Sequence, residues 1–147
     1  MDKYIGVKLI EAEPMTEEEF RKGIIGAGAP GYKVVYPDRY ESWSPKDTFE
    51  KAYMKVIPNP RLLTDLSISQ QMVDDFIKEV HVTTLGSKTT LVRCVLANGF
   101  EIIETSACVD PHSYSEQMGK EACLNSVRNK VWYLLGFLLQ CGIGGVK

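Results

Sequence analysis

The sequence has no cluster of positive charge, no long apolar segment and no apolar core near its N-terminus. Its 17 basic and 19 acidic residues give a formal net charge of -2, which disfavours binding to long nucleic acid. No apolar run approaches the roughly 20 residues that span a bilayer. The segment MDKYIGVKLIEAEP carries acids where a secretory signal has its apolar core. We therefore expect a cytoplasmic protein that binds neither long nucleic acid nor a membrane.

Metal-ligand spacings are also missing. The 4 cysteines occur in neither CxxC nor CxxH, and His81 and His112 do not complete a zinc-finger pattern. In a reducing compartment, such cysteines are most simply buried small apolar residues. We expect free thiols, no metal and no cofactor at the four positions, which are Cys94, Cys108, Cys123 and Cys141.

The motifs of common enzymes are absent: no GxSxG elbow, no HExxH and no kinase set. Cys108 and His112 could form a Cys–His nucleophile pair if Asp110 and the start of a helix lie beside the thiol. The ordinary interpretation is that Cys108 packs at the end of a strand. The glycine-rich segment 23–31 lacks the GKS/T ending of a P-loop and the context of a dinucleotide loop. It is predicted to be a connector, with a lid over a ligand as the alternative. The sequence therefore predicts a protein that is not an enzyme.

The first part of the chain, residues 1–56, is predicted to be a compact α+β unit. It combines a strand over 4–12, a helix capped by Thr16, a hairpin built from YKVVY and YESW, and a helix after Ser44. Residues 57–68 contain Pro58-Asn59-Pro60, which interrupts periodic structure and predicts a linker.

The remainder, 69–147, is predicted to be an antiparallel meander followed by one long helix. Ser69 caps a short helix, and two β-branched strands then flank the loop at 86–88. Asn98-Gly99 is a strong hairpin turn and leads into the strand FEIIETS. Ser113 and Glu116 form a capping box for a helix over 114–139. Its core-facing stripe repeats at i, i+3, i+4 and consists of Leu124, Val127, Val131, Leu134 and Leu138. The predicted fold class is α+β, with small antiparallel sheets and a three-stranded meander leading into the C-terminal helix.

The end of this helix, WYLLGFLLQ, is apolar on almost every side, and such a helix is buried on every side. One small sheet cannot cover it, so burial against the N-terminal unit or another subunit is expected. The second possibility predicts a homo-oligomer, held partly by Trp132, Leu135, Phe137 and Leu139.

Six residues are candidates for binding a ligand. Strand alternation places Arg93 opposite a predicted core face, where it is either an anion-binding guanidinium or solvated. Cations on the helix have the same two interpretations. An aromatic ring can stack on a base or fill the core, and an amide next to it can supply a hydrogen bond. The candidates are Arg93, Asn98, Phe100, Lys120, Arg128 and Trp43.

Two segments of the chain carry recognisable residue patterns. The C-terminal pattern is an NG turn, a strand ending in SAC, a proline, an aromatic residue, and a helix with glycine, lysine and tryptophan before a glycine–aromatic pair. It resembles a family of small tailed-phage and prophage accessory proteins. GYKVVYPDRYESWSPKDTFEKAY is similar to a module at the ends of many phage proteins. In the C-terminal pattern the residues are Asn98-Gly99, Ser106-Ala107-Cys108, Pro111, Tyr114, Gly119, Lys130, Trp132 and Gly136-Phe137.

Within this phage family we place the Thoeris anti-defence sponge of the first type. The resemblance implies capture of cyclic ADP-ribose-like signals, and in some members cyclic oligonucleotides, by an oligomer that does not cleave them. The expected ligand is thus a small cyclic nucleotide, met in the cytoplasm of an infected bacterial host cell. The alternative is a protein–protein interaction module that inhibits or adapts a host protein through the apolar helix end.

Overall fold

The computed structural model describes residues 1–147, which divide into two compact units. The first unit comprises Met1–Lys55 together with Leu139–Lys147, and the second comprises Val56–Leu138. The last nine residues, which the sequence-based division assigns to the C-terminal module, thus cluster with the N-terminal segment. Two three-stranded antiparallel sheets and one long C-terminal helix confirm the predicted α+β class.

In the first unit, β1 (Glu11–Pro14), β2 (Gly31–Val35) and β3 (Glu41–Pro45) form a sheet in that order. The predicted hairpin is therefore present. The predicted strand over 4–12 is wrong except at its end. The strand that pairs with it, β2, is five residues long and ends at Val35, which lies opposite Glu11. The residues before Glu11 therefore have no strand to pair with.

Two short helices flank this sheet. Thr16 caps α1 (Glu17–Lys22), and its hydroxyl accepts a hydrogen bond from the Glu19 N–H at 3.3 Å. The second helix, α2 (Lys46–Ala52), begins directly after β3, so Ser44 is a strand residue and not the predicted helix cap. The glycine-rich connector folds back onto the start of α1, because the Glu17 N–H donates to the Ala29 carbonyl at 3.0 Å.

The second unit begins with α3 (Gln70–Phe76), capped by Ser69 as predicted. The meander β4 (Ile77–Leu85), β5 (Thr89–Leu96) and β6 (Glu101–Ala107) follows in the order β4-β5-β6. β6 is therefore an edge strand with one side free of partners within this sheet.

The turn into β6 is fixed by its sequence. Gly99 has a φ of 87°, which favours glycine, and the Asn98 side chain accepts a hydrogen bond from the Phe100 N–H at 3.0 Å.

The long helix α4 (Glu116–Gly144) starts later than its predicted capping box. A short 3-10 turn occupies Pro111–Ser113, and the Ser115 hydroxyl accepts from the Met118 N–H at 3.3 Å. The predicted cap at Ser113 is wrong because Ser113 lies in this turn and the Ser115 hydroxyl takes the capping position. The Glu116 carboxylate accepts a hydrogen bond from the Thr84 hydroxyl on β4 instead of closing a capping box.

The core of the second unit lies between α4 and one face of the meander. Alternate residues of β5 point toward the helix, and Leu124, Val127 and Val131 of the predicted helix stripe meet them. Leu134 and Leu138, the last two residues predicted for this stripe, are instead 37% and 39% exposed. Ile102 of β6 and two residues of α3 complete the cluster, whose members are Met72, Val73, Val92, Cys94, Leu96, Ile102, Cys123, Leu124, Val127, Val131 and Leu135.

A polar contact fixes the start of α4 on the sheet. The Tyr114 hydroxyl bonds to the hydroxyls of Thr84 and Thr90, each at 2.8 Å. One turn later Gly119 lies directly over Thr90, and a Cβ at this position would be 2.7 Å from the Thr90 Cβ. Helix and sheet therefore approach so closely here that only a residue without a side chain fits.

Candidate functional site

A cleft opens where the free edge of β6 meets α4 in the second unit. Its volume is about 490 Å³, within the range of small-molecule sites. The start of β6 forms one wall, and one face of α4 forms the other. The lining residues are Phe100, Glu101, Ile102, Ile103, Asn129, Lys130, Tyr133 and Leu134.

Two aromatic rings of this lining are exposed. Phe100 is 57% exposed and Tyr133 is 79% exposed. The Asn98-Gly99 turn positions Phe100, whereas Tyr133 lies one helical turn after Asn129 on α4. Exposed rings beside a cleft offer a stacking surface for a planar group, since every nucleobase presents a π-face.

The cations near the cleft are paired with carboxylates. Lys130 forms an ion pair with Glu104, which projects from β6 toward the helix and is 19% exposed. On the opposite face of the sheet, Arg93 pairs with Glu101. Each of the two ion pairs has a net charge of zero. An anionic ligand must therefore compete with Glu104 for Lys130 or with Glu101 for Arg93.

The two arginines singled out from the sequence lie on opposite sides of the sheet. Val92 and Cys94 point into the core under α4, so alternation turns Arg93 to the other face. Arg128 is on the helix side, where its Nε lies 3.4 Å from Asp74 of α3. The single chain therefore does not bring Arg93 and Arg128 into one pocket.

The other predicted ligand residues have different surroundings. Asn98 forms the turn that carries Phe100, the one predicted residue that lines the cleft. Lys120 is ten residues before Lys130 on α4, or about 15 Å along the axis. Trp43 belongs to the first unit, where its indole N–H donates to the Met15 carbonyl at 2.8 Å.

Sequence reasoning missed most of the cleft. Glu101, Asn129 and Tyr133 were not among the candidates, and Lys130 was named as part of the phage-family pattern but not as a ligand residue. The one available signal was the spacing of Asn129, Lys130, Tyr133 and Leu134, which places four residues on neighbouring positions of a helix surface.

The thiols are mostly buried. Cys94, Cys123 and Cys141 are buried, and Cys108 is partly exposed. Burial raises the pKa of the Cys94 thiol, with a smaller contribution from Cys123, and burial likewise raises the pKa of the Cys123 thiol. These two thiols stay protonated and unreactive at neutral pH.

The Cys108 thiol donates to the Asp110 carbonyl at 3.2 Å, and the His112 ring lies 3.1 Å from the Asp110 carboxylate. The His112 backbone N–H lowers the pKa of Asp110 by donating to that carboxylate. Asp110 thus contacts both side chains of the proposed nucleophile pair, the thiol through its carbonyl and the ring through its carboxylate.

No cluster of three or more His, Cys, Asp or Glu side chains has metal-binding geometry.

The fold and the cleft define the class: a small α+β protein whose meander packs on one long helix and leaves a ligand-sized cleft at the free sheet edge. The chain belongs to the phage protein family described as N4 Gp49/phage Sf6 gene 66, whose model matches residues 68–143, slightly more than half of the chain. Neither the curated proteins nor the solved structures give a significant match. None of the helices has the length and apolarity of a membrane-spanning segment.

Proposed function

We propose that this phage protein captures a small cyclic nucleotide signal of the cyclic ADP-ribose type without cleaving it. It would act against a bacterial defence such as Thoeris, in the cytoplasm of the infected host. The observation that carries the proposal is the composition of the cleft wall, which combines two exposed rings with an ammonium and an amide. Membership in a phage protein family fits this role.

Each part of such a nucleotide has a matching group in the cleft. The base stacks on Phe100 or Tyr133, a phosphate pairs with Lys130, and the Asn129 amide offers both a donor and an acceptor to the base edge. Each phosphate of such a ligand has two non-bridging oxygens that can accept hydrogen bonds from the Lys130 ammonium, in competition with Glu104.

A second copy of the chain completes the site in this proposal. A cyclic dinucleotide-like ligand carries two phosphate charges, and a buried charge without a partner costs several kcal/mol. One protomer supplies one lysine to an open cleft, so a cation and the missing cover come from a neighbour. The exposed Phe137 and Leu138 continue the apolar surface of α4 beyond Tyr133 and would be covered in this oligomer.

The oligomer has a direct test. Light scattering at micromolar concentration is expected to give at least twice the chain mass of 16.5 kDa. A mass of one chain would contradict the shared site.

Binding should depend on Lys130. In titration calorimetry with cyclic ADP-ribose, Lys130→Ala is expected to weaken binding by about 2–3 kcal/mol, because a charge-assisted hydrogen bond to phosphate is lost. Lys78→Ala is the matched control, since Lys78 is an exposed lysine on β4, at the opposite edge of the same sheet. Equal affinities for the parent and both variants would place the ligand elsewhere.

A second candidate function is docking of a host protein. The observation that favours it is the unpaired edge of β6 beside exposed Ile103, Tyr133 and Phe137. A free edge accepts an added strand through its main-chain groups, and the neighbouring apolar side chains form pockets for it. In that case the protein would retain no nucleotide, and Lys130→Ala would leave partner binding largely intact.

A further inference from the structure

The two edges of the meander sheet differ in how well they are protected against pairing with another strand. β4 carries a bulge between Ile77 and Glu79, and the charged Lys78 lies within it. Bulges and charges are the usual protection of an exposed edge. β6 instead pairs with β5 without a register shift, contains neither proline nor lysine, and exposes Ile103 near its centre by 55%. An edge of this kind readily accepts a further strand.

The hydrogen bonds that continue the β5–β6 ladder at its two ends show which main-chain groups of β6 face the free edge. The Leu96 N–H donates to the Phe100 carbonyl at 2.8 Å, and the Cys108 N–H donates to the Lys88 carbonyl at 3.0 Å. Even-numbered residues of β6 therefore bond to β5, and alternation turns the N–H and carbonyl groups of the odd-numbered residues outward. These residues are Glu101, Ile103, Thr105 and Ala107.

The sequence of β6 allows it to pair antiparallel with β6 of a second copy. With Ile103 opposite Ile103 of the second copy, Glu101 of each chain lies opposite Thr105 of the other. All of these residues turn their main-chain groups outward, so the three pairs exchange about six hydrogen bonds. The register that overlaps all 7 residues of β6 would place Glu104 opposite Glu104 of the second copy, and like charges directly opposite each other are destabilising.

We propose that two chains pair through β6 about Ile103 and join their three-stranded meanders into one continuous sheet. The paired strands are identical, so the interface is two-fold symmetric and closes at two chains. Directly opposite residues share a face of the sheet, so the α4 helices of both copies lie on the same side. The two clefts then face each other across the joined edge, and Tyr133 of each copy is directed toward the other.

The pairing also supplies what the nucleotide site lacks in one chain. Each copy brings one Lys130 to the joined clefts, so two cations are available for two phosphate charges. This consequence rests on the proposed nucleotide capture, whereas the interface itself does not.

Light scattering on the full chain tests the interface without any nucleotide. The parent is expected at twice the chain mass of 16.5 kDa. Ile103→Lys should reduce the mass to that of one chain at the same micromolar concentration, because two lysines would lie directly opposite each other on the two-fold axis. Thr83→Lys is the matched control, since Thr83 is exposed on the same face of the sheet but on β4, and it should keep the parental mass.

Disulfide formation tests the register. Cys108 is the one native cysteine that is partly exposed, so both variants are made in a Cys108→Ser background. Ile103→Cys places two thiols at directly opposite positions with Cα atoms about 5.5 Å apart, within disulfide range. Thr105→Cys separates them by about 13 Å along the strands. Mild oxidation should therefore give a covalent dimer of the first variant and not of the second, as seen by non-reducing electrophoresis.

Three results would overturn the interface: a parent with the mass of one chain, an Ile103→Lys variant that keeps the parental mass, or cross-linking of Thr105→Cys as readily as Ile103→Cys. If circular dichroism shows that Ile103→Lys does not fold, the cysteine pair decides. A parent dimer that retains no nucleotide would overturn capture and leave the interface in place.

Discussion

Replacing Gly119 by alanine is expected to lower the free energy of unfolding by about 1–3 kcal/mol. In an exposed helix the same change stabilises by about 1 kcal/mol, because alanine has the higher helix propensity. Here the new methyl group would lie 2.7 Å from the Cβ of Thr90, which is completely buried. The helix must then shift off the sheet, and the Tyr114–Thr90 hydrogen bond is strained with it.

Gly136 provides the matched control on the same helix. A Cβ there meets nothing within 4 Å, so Gly136→Ala is expected to stabilise by about 0.5–1 kcal/mol. Urea denaturation of the two variants should therefore move the midpoint in opposite directions. A stabilised Gly119→Ala variant would contradict the close approach of helix and sheet.

Leu135→Ala should cost about 2–5 kcal/mol, the range for a large buried side chain that leaves a cavity. Leu135 is 2% exposed and belongs to the core between α4 and the meander, so the prediction that it holds a subunit interface is wrong. Its sequence neighbour Leu134 is 37% exposed, so Leu134→Ala should cost less than about 1 kcal/mol.

Thermal and chemical denaturation of this leucine pair measures which face of α4 is buried within one chain. If Leu135→Ala and Leu134→Ala lowered the free energy of unfolding equally, the assignment of the core-facing side of α4 would be wrong. Equal costs that appear only at high protein concentration would instead place Leu134 in a subunit interface.

The meander could be predicted because its signals are local. Alternating β-branched residues give a period of two, and Asn98-Gly99 supplies the positive φ that a tight hairpin needs. The spacing of Leu124, Val127 and Val131 predicted the first part of the core stripe of α4, but not its end, where Leu135 is buried in place of Leu134. Each of these features depends on neighbours a few residues away in the chain.

The errors came from long-range contacts. The strand over 4–12 had the composition of a strand, but β2 offers it only a short partner. The cap at Ser113 had the right spacing, yet Glu116 found a partner on β4, more than thirty residues earlier. Local propensity favours a helix or strand in a segment, whereas tertiary contacts determine the residue at which that element begins or ends.

The cleft was less predictable than the fold. Phe100 could be named because its turn is local, whereas Tyr133 and Asn129 line the cleft only because of how α4 lies over the edge of β6. That orientation depends on the contact between Gly119 and Thr90 and on the whole core. Strand alternation did place Arg93 on the face away from the core, but it could not show that Glu101 already binds it.

Nucleotide capture is tested most directly by what the protein releases. The protein is incubated with cyclic ADP-ribose, separated from free ligand by gel filtration and denatured, and the supernatant is analysed by chromatography. We predict that intact cyclic nucleotide is recovered from the parent and far less from the Lys130→Ala variant. Recovery of linear ADP-ribose would show catalysis, and recovery of no nucleotide from the parent would contradict capture.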